Sequence, residues 1–529
     1  MLALRAINRV RSTGRCFLAA QKHEATGKFH TARPAEACSR IKNQKRAMEA
    51  AENTRSSVTY GQPVPQTHPH LIGPGEVIPG IRLDEVKARR RALLHLIKES
   101  CAKNMDKNIK NHIVIIPSAN KKYMSHKIPY VFRQNTDFLY LSGCQEPDSV
   151  LVMEIDAQDN CKSTLFVRPK DKHAELWDGP RTGVQLASDI FGMEQSYDVC
   201  LLKEYLSKYS FAQPNAITWY DEKGSDLDDV SKIVADVTHN HVRSPLEFIH
   251  NIRVIKSPSE CELMRKTCQI ASSAINRTMA DSYPGIGEHE VFASVDYRTR
   301  MGGANFLAYP PVVAGGTNAT IIHYVNNNQI VRRGEMVLLD AGCEYHGYTS
   351  DITRTWPVDG KFSDPQRVLY EVLQQVQLEL LGCLQQAGGE TLDQLFDTMC
   401  TKIGQYLQEI KLIPAALGGL ELYRTAYKFC PHHVSHYLGM DVHDTPSVPR
   451  SIRLRPGMVC TVEPGIYISR ERTDVPPEFR GLGLRIEDDV LIRPDQQVEV
   501  LTESCIKDRR LLEEMLSSRH APDDATINK

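Results

Sequence analysis

Residues 336–356, MVLLDAGCEYHGYTSDITRTW, hold two aspartates, Asp340 and Asp351, eleven positions apart across a glycine-containing turn. An apolar run, a turn at residues 344–347 and a second β-branched run read as strand, turn and strand. With the turn centred on Tyr345–His346, the two aspartates face each other across a hairpin. Directly opposed like charges destabilise a sheet, and two buried carboxylates about 5 Å apart force one to bind a proton. A chain that keeps this hairpin in its core must supply positive charge there, and a bound cation does so.

Two more acids stand in similar settings. Glu463 lies in MVCTVEPGIYI and Glu487 in GLGLRIEDDVLI, both strand-like. Acids among apolar residues are rarely buried unless paired or metal-bound. Residues 430–444, CPHHVSHYLGMDVHD, add His432, His433, His436 and His443. One strand aspartate alone marks a turn or an edge, and one histidine pair a core or surface position; the joint pattern points to a site. Four carboxylates with a histidine form an oxygen-rich donor set, which favours manganese or another divalent first-row ion over a thiolate-bound zinc. Four carboxylates also balance two dications, and ions about 3.5–4 Å apart activate water and clamp a tetrahedral intermediate.

The chain has 529 residues, 41% apolar and 24% charged, enough for more than one globular domain. Its net charge of −1 conceals an asymmetry: residues 1–50 carry eleven Lys/Arg and three Glu, leaving the remainder acidic. An acidic body argues against nucleic-acid binding. The first twenty residues contain Arg5, Arg9, Arg11 and Arg15 and no acid, with Ile7, Val10, Phe17 and Leu18 on one helical arc. That is the pattern of a mitochondrial transit peptide, so the expected location is the mitochondrion, with a cytoplasmic form also allowed. No run of eighteen apolar residues occurs, so no membrane span is expected. Fourteen scattered cysteines without a C-x-x-C pair read as reduced, mostly buried thiols.

Residues 1–58 are read as leader and linker, and a Pro/Gly-rich entry follows at 60–80. RLDEVKARRRALLHLIKES predicts a helix, and NHIVIIPS and DSVLVMEI predict strands. The alternation continues to residue 245, giving an α/β domain over 60–245. In IKSPSECELMRKTCQIA, Ser257, Pro258 and Glu260 form a capping-box start for a long helix. A boundary is therefore expected at 246–256, then a second mixed domain over 250–512 and a disordered polar tail over 517–529. The fold class is α/β (α+β).

The D-x(10)-D pair, HHVSHYLGMDVHD, TVEPG and GLRIEDD together resemble the creatinase/aminopeptidase, or pita-bread, metallopeptidase family. AYPPVVAGGTNATIIHYVNNNQ, LLDAGCEYHGYTSDITRTWPV and FRQNTDFLYLSGCQEPDSV resemble its aminopeptidase P branch. The resemblance spans roughly residues 60–510. It implies an N-terminal aminopeptidase P domain followed by a pita-bread catalytic domain. It implies removal of an N-terminal residue that precedes proline, by a hydroxide bridging two divalent ions, most simply Mn2+. Five metal ligands carry over: Asp340, Asp351, His436, Glu463 and Glu487. His443 matches a histidine that stabilises the intermediate, His323 a second active-site histidine and Tyr309 a substrate contact. His432 and Arg485 match residues near the proline pocket, and attack by such a hydroxide makes Glu463 the expected proton carrier. Peptides with proline second are the implied partners, and a homodimer the implied assembly. The family has glycine where this chain has His433, so no role is assigned to it, and the aromatic of bacterial relatives is Leu139 here. A prolidase shares this ligand set, and a catalytically inactive peptide-binding scaffold of the same fold is the rival from another class.

Overall fold

The computed structural model describes residues 58–104, 111–224, 226–238, 241–386, 390–495 and 497–518. The expected leader, except for its last residue, and the expected tail beyond Ser518 lie outside the described residues. The chain divides between Arg253 and Val254 into two compact units.

The N-terminal unit is built on a six-stranded sheet in the order Val242–Arg243, Ile217–Trp219, His112–Pro117, Val150–Ile155, Cys161–Val167, Gln195–Asp198. The central strands pair antiparallel and the outer pairs are parallel. Every residue of His112–Pro117 is buried, since helices cover both faces, and the strand accordingly reads as one unbroken apolar run. Ile113, Ile115, Val150, Val152 and Phe166 pack against Leu202, Leu206, Val230 and Val234 from the helices. Leu83–Asn104 is the predicted helix, seating Val86, Leu93, Leu94 and Ile97 in the core.

The C-terminal unit opens with the helix Pro258–Asp281. Its start is the capping box expected from sequence: the Ser257 hydroxyl accepts from the Glu260 N–H and the Glu260 carboxylate from the Ser257 N–H. Helices Asp364–Gln386 and Leu392–Glu409 join three three-stranded sheets and a two-stranded one around a continuous core that includes Trp356, Leu373, Val376, Met399 and Ile403. The last helix, Arg509–Ser517, sends Leu512 and Leu516 into that core, so ordered packing runs past residue 512. No helix among the described residues is long and apolar enough to cross a membrane. Among the described residues nine of twelve cysteines are buried and none is in a disulfide, as the scattered spacing predicts.

The hairpin register differs from the sequence expectation by one position. His346 (φ 50°) and Gly347 (φ 85°) form the turn, with Tyr345 opposite Tyr348. Two central residues at positive φ match the twist of the flanking strands, and this moves the turn centre one residue on. Asp340 therefore pairs with Thr353, and Asp351 lies two residues before it. The aspartates are diagonal neighbours on one face rather than directly opposed. Between them the strands pinch: a Cβ at Gly342 would lie 1.7 Å from the Ser350 carbonyl oxygen, so only glycine fits.

Candidate metal centre

Glu463, expected where a strand runs into a Pro-Gly turn, and Glu487, expected inside a strand, both sit at strand breaks. Glu463 separates Val459–Val462 from Gly465–Tyr467, and Glu487 separates Gly483–Arg485 from Asp488–Ile492. These strands pair with each other, so the two breaks fall side by side as the chain passes from one sheet to the next. Backbone groups freed by the break find partners elsewhere. The Glu487 N–H donates to the Thr353 carbonyl at 3.1 Å and the Glu463 N–H to the Val434 carbonyl at 2.9 Å. The second bond fixes Glu463 beside the histidine segment, and the first fixes Glu487 beside the aspartate hairpin.

The five expected ligands converge. The Tyr309 hydroxyl donates to Asp340 Oδ1 at 2.6 Å and also to Asp351 Oδ1. His436 Nε2 is 3.5 Å from Asp351 Oδ2 and 3.6 Å from Glu463 Oε1. Ligand atoms of Asp351, His436 and Glu487 all lie within 4.8 Å of one another. His436 Nδ1 meets the Tyr437 carbonyl at 3.1 Å. A carbonyl only accepts, so Nδ1 carries a proton, and Nε2 is the ring atom turned toward the carboxylates.

The electrostatics fit a cation. Burial, with the charges of Asp351, Glu463 and Asp340, drives Glu487 well above the usual carboxylate range. Burial and the two aspartates push Glu463 up to about 7, against the pull of His436 and Arg485. Asp340 is raised by burial. Burial also acts on Asp351, but the His436 contact and the Tyr309 hydroxyl outweigh it and hold its carboxyl low. His436, despite burial, is raised to about 9 by Asp351 and Glu463. Four carboxylates thus compete for His436 and Arg485 and remain short of positive charge, a deficit that two dications would fill.

Around this cluster stand the other expected residues. Arg485 donates to Asp340 Oδ2 at 2.6 Å, to Tyr467 at 2.8 Å and to Thr353 at 3.0 Å. His432 Nε2 lies 3.0 Å from the Tyr467 hydroxyl, and its Nδ1 3.7 Å from Glu463 Oε2. Burial and Arg485 lower the His432 pKa to about 4, keeping it neutral. His443 is exposed, with its ring centroid 4.5 Å from that of His436. His323 lies in an exposed turn, close enough to act electrostatically on both His432 and His443.

Several members of the site escape sequence reasoning. Tyr467 joins His432 to Arg485. Thr353 donates to Glu487 Oε2 at 2.6 Å while accepting from Arg485. Asp489 accepts from the Asp351 N–H at 3.0 Å. A Lys256–Asp444 ion pair at 3.0 Å, buried at both ends, braces the residue beside His443. The doubled acids of EDD were the one available hint, since a fully buried Asp488 and Asp489 need partners. His433, given no role, points away from the cluster: it stacks on Phe396 at 4.9 Å and bonds the Ser435 carbonyl at 2.7 Å. It supports packing rather than chemistry.

Comparison with known proteins agrees with this geometry. The family model for metallopeptidase family M24 matches residues 262–494, and that for the aminopeptidase P N-terminal domain residues 86–218. Xaa-Pro aminopeptidase 3 of Mus musculus is 43% identical over 467 residues, 86% of this chain and 90% of that one. The chain belongs to the aminopeptidase P branch of metallopeptidase family M24. A second relative, the mitochondrial intermediate cleaving peptidase 55 of Arabidopsis thaliana, is 38% identical over 90% of this chain and 91% of its own. The zinc-substituted aminopeptidase P of E. coli in complex with product superposes with a TM-score of 0.73 at 29% identity, covering 84% of this chain and all of that chain. The M24 fold read from the motifs, an aminopeptidase P N-terminal domain followed by a pita-bread domain, is therefore the fold observed.

Proposed function

We propose that this M24 protein hydrolyses the bond between an N-terminal residue and a following proline with two divalent ions held by Asp340, Asp351, His436, Glu463 and Glu487. As a member of its branch it is a metallo-aminopeptidase acting on Xaa-Pro bonds and uses divalent metal. The observation that carries the two-ion reading is the convergence of four carboxylates and one oriented histidine in a patch deficient in positive charge. When bound, the ions supply a hydroxide at neutral pH and positive charge against the oxyanion; the donor set favours manganese. Xaa-Pro is a tertiary amide whose ring offers no N–H, so recognition must come from shape. Tyr309, His432 and Arg485 form that wall, and the bonds of Arg485 to Asp340, Thr353 and Tyr467 hold it rigid. Glu463, between His432 and His436, carries the proton to the leaving proline nitrogen. His443 donates to the oxyanion, and His323 contacts the substrate from its turn.

Turnover of an X-Pro-Y tripeptide, an X-Ala-Y tripeptide and an X-Pro dipeptide tests this reading. The tripeptide with proline second is expected to be the substrate. Cleavage of the dipeptide alone would make the protein a prolidase, and cleavage of none an inactive scaffold. His436→Ala is expected to lose bound metal and activity together. His443→Ala is expected to keep its metal and fold but lose about 10²–10³-fold in kcat; elemental analysis beside the assay separates the two.

The same proposal places 60–245 and 250–512 as the working domains of a homodimer, which sedimentation equilibrium checks, and assigns the chain to the mitochondrion. The Arg-rich, acid-free first twenty residues support that location. Residues 1–58 fused to a fluorescent reporter are expected to direct it into mitochondria, and replacing Arg5, Arg9, Arg11 and Arg15 by Gln to leave it in the cytosol. A wild-type fusion that stays cytosolic contradicts the assignment.

A further inference from the structure

Outside the metal centre, the helix Glu288–Met301 begins with a fully buried carboxylate, Glu288. Its Oε1 accepts from the Gly315 N–H and from Asn318 Nδ2, both at 2.8 Å. Its Oε2 accepts from the Tyr324 hydroxyl and the Gln329 N–H, both at 2.9 Å. All four donors belong to residues 315–329, two before His323 and two after it. Burying a charge is costly unless hydrogen bonds replace its water, and here one loop supplies those four bonds. A second clamp reinforces the first. Asn327, in the left-handed region at φ 47°, accepts from the Val313 N–H and donates to the Pro311 carbonyl, each at 2.9 Å.

The loop has two sides. Tyr324 and Asn327 turn inward, whereas Ile321 and Val325 are more than half exposed and His323 is exposed with them. Its inner turn rests on the strand that carries Arg485: a Cβ at Gly483 would lie 2.1 Å from the Ala319 carbonyl oxygen. The loop is thus seated on the wall of the metal centre by its inner face.

We propose that Glu288 is a positioning residue for the reaction: its carboxylate folds residues 315–329 so that His323 is presented to substrate beside the metal ligands. This rests on the reading of His323 as a substrate contact, and the test separates the two. Glu288→Gln keeps the shape but turns one acceptor into an amide that faces a donor. Its kcat/KM on an X-Pro-Y tripeptide is expected to fall by about 10–100-fold, with bound metal unchanged and faster amide exchange confined to residues 315–329. In a His323→Ala background the same substitution is expected to change kcat/KM by no more than about twofold, because both act through one contact. Tyr324→Phe, which removes one of the four bonds, is expected to show a smaller loss with the same non-additivity, and it decides the matter if Glu288→Gln does not fold. An equal loss from Glu288→Gln or Tyr324→Phe with and without His323 would mean a general structural role and overturn the proposal. So would unchanged kcat/KM in the variants that fold. His323→Ala as active as wild type would overturn the reading of His323 itself and remove this role with it.

Discussion

Asp351→Asn is expected to abolish turnover on an X-Pro-Y tripeptide, by on the order of 10³-fold or more, or about 4 kcal/mol of transition-state stabilisation. The substitution keeps the shape of the side chain. Its amide oxygen can still accept from Tyr309, and its main-chain N–H still reaches Asp489. What it loses is the charge that holds His436 3.5 Å away, one of the four carboxylate charges that would balance two dications in the proposed centre. The loss should therefore appear first in bound metal, by elemental analysis, and the fold should survive. In the metal-free state removal of one like charge relieves crowding on Glu487 and Glu463, both pushed up in part by Asp351. Chelated Asp351→Asn also loses the His436 pairing that holds the Asp351 carboxyl low, so the two effects oppose each other and its stability to urea should stay close to that of chelated wild type. Retention of both metal and turnover would remove Asp351 from the ligand set.

Arg354→Met is expected to destabilise the folded chain by about 3–5 kcal/mol, the cost of breaking a buried ion pair by removing one partner. Arg354 is fully buried. It donates to Asp488 Oδ1 at 2.8 Å, to the Thr353 and Cys505 carbonyls at 2.9 Å, and to the Glu487 carbonyl. Asp488 also receives Lys507 at 2.7 Å, Gln377 at 2.8 Å and Thr502 at 2.9 Å. These partners hold its carboxyl far below the usual range despite burial. A folded pKa below the unfolded one gives stability that is present above the unfolded pKa and is lost as pH falls through the folded value. The network should therefore hold firm at neutral pH. Methionine fills similar space but leaves three carbonyls without this donor and one charge half-compensated. Breaking the exposed Lys203–Asp236 pair, also near 3 Å, should cost less than about 1 kcal/mol. Equal effects for the two, measured by urea denaturation, would show that burial does not set the value of the Arg354 network.

The acids of the metal centre are legible because Asp340, Glu463 and Glu487 lie among apolar neighbours, where a carboxylate has no cheap solvent, and because Asp351 stands eleven positions from Asp340 across a turn. Their positions were less so. The register of the aspartate hairpin depends on His346 adopting positive φ, a conformation that the sequence marks only at Gly347. The break at Glu463 is marked by the Pro464–Gly465 pair, whereas the one at Glu487 is hidden because the apolar run continues across it; Ile486 is buried. Thr353 and Tyr467 carried no signal. A threonine in a strand gives no hint that its hydroxyl binds a carboxylate 134 residues away, since local periodicity records which face is buried and not which distant group lies on it. The residues proposed for the substrate side, His323, Tyr309, His432, His443 and Arg485, are reached through resemblance. Their chemistry depends on neighbours that only the fold assembles.

The central claim is the two-ion centre, and its most direct measurement is metal stoichiometry read beside activity on one preparation. Protein loaded with manganese and freed of excess is expected to hold two ions per chain by elemental analysis. Chelation should remove both, abolish turnover of the X-Pro-Y tripeptide and lower the melting temperature, because the ions bind the native state; adding manganese back should restore all three. Full turnover in the metal-free protein, or full activity with a single ion per chain, would contradict the account.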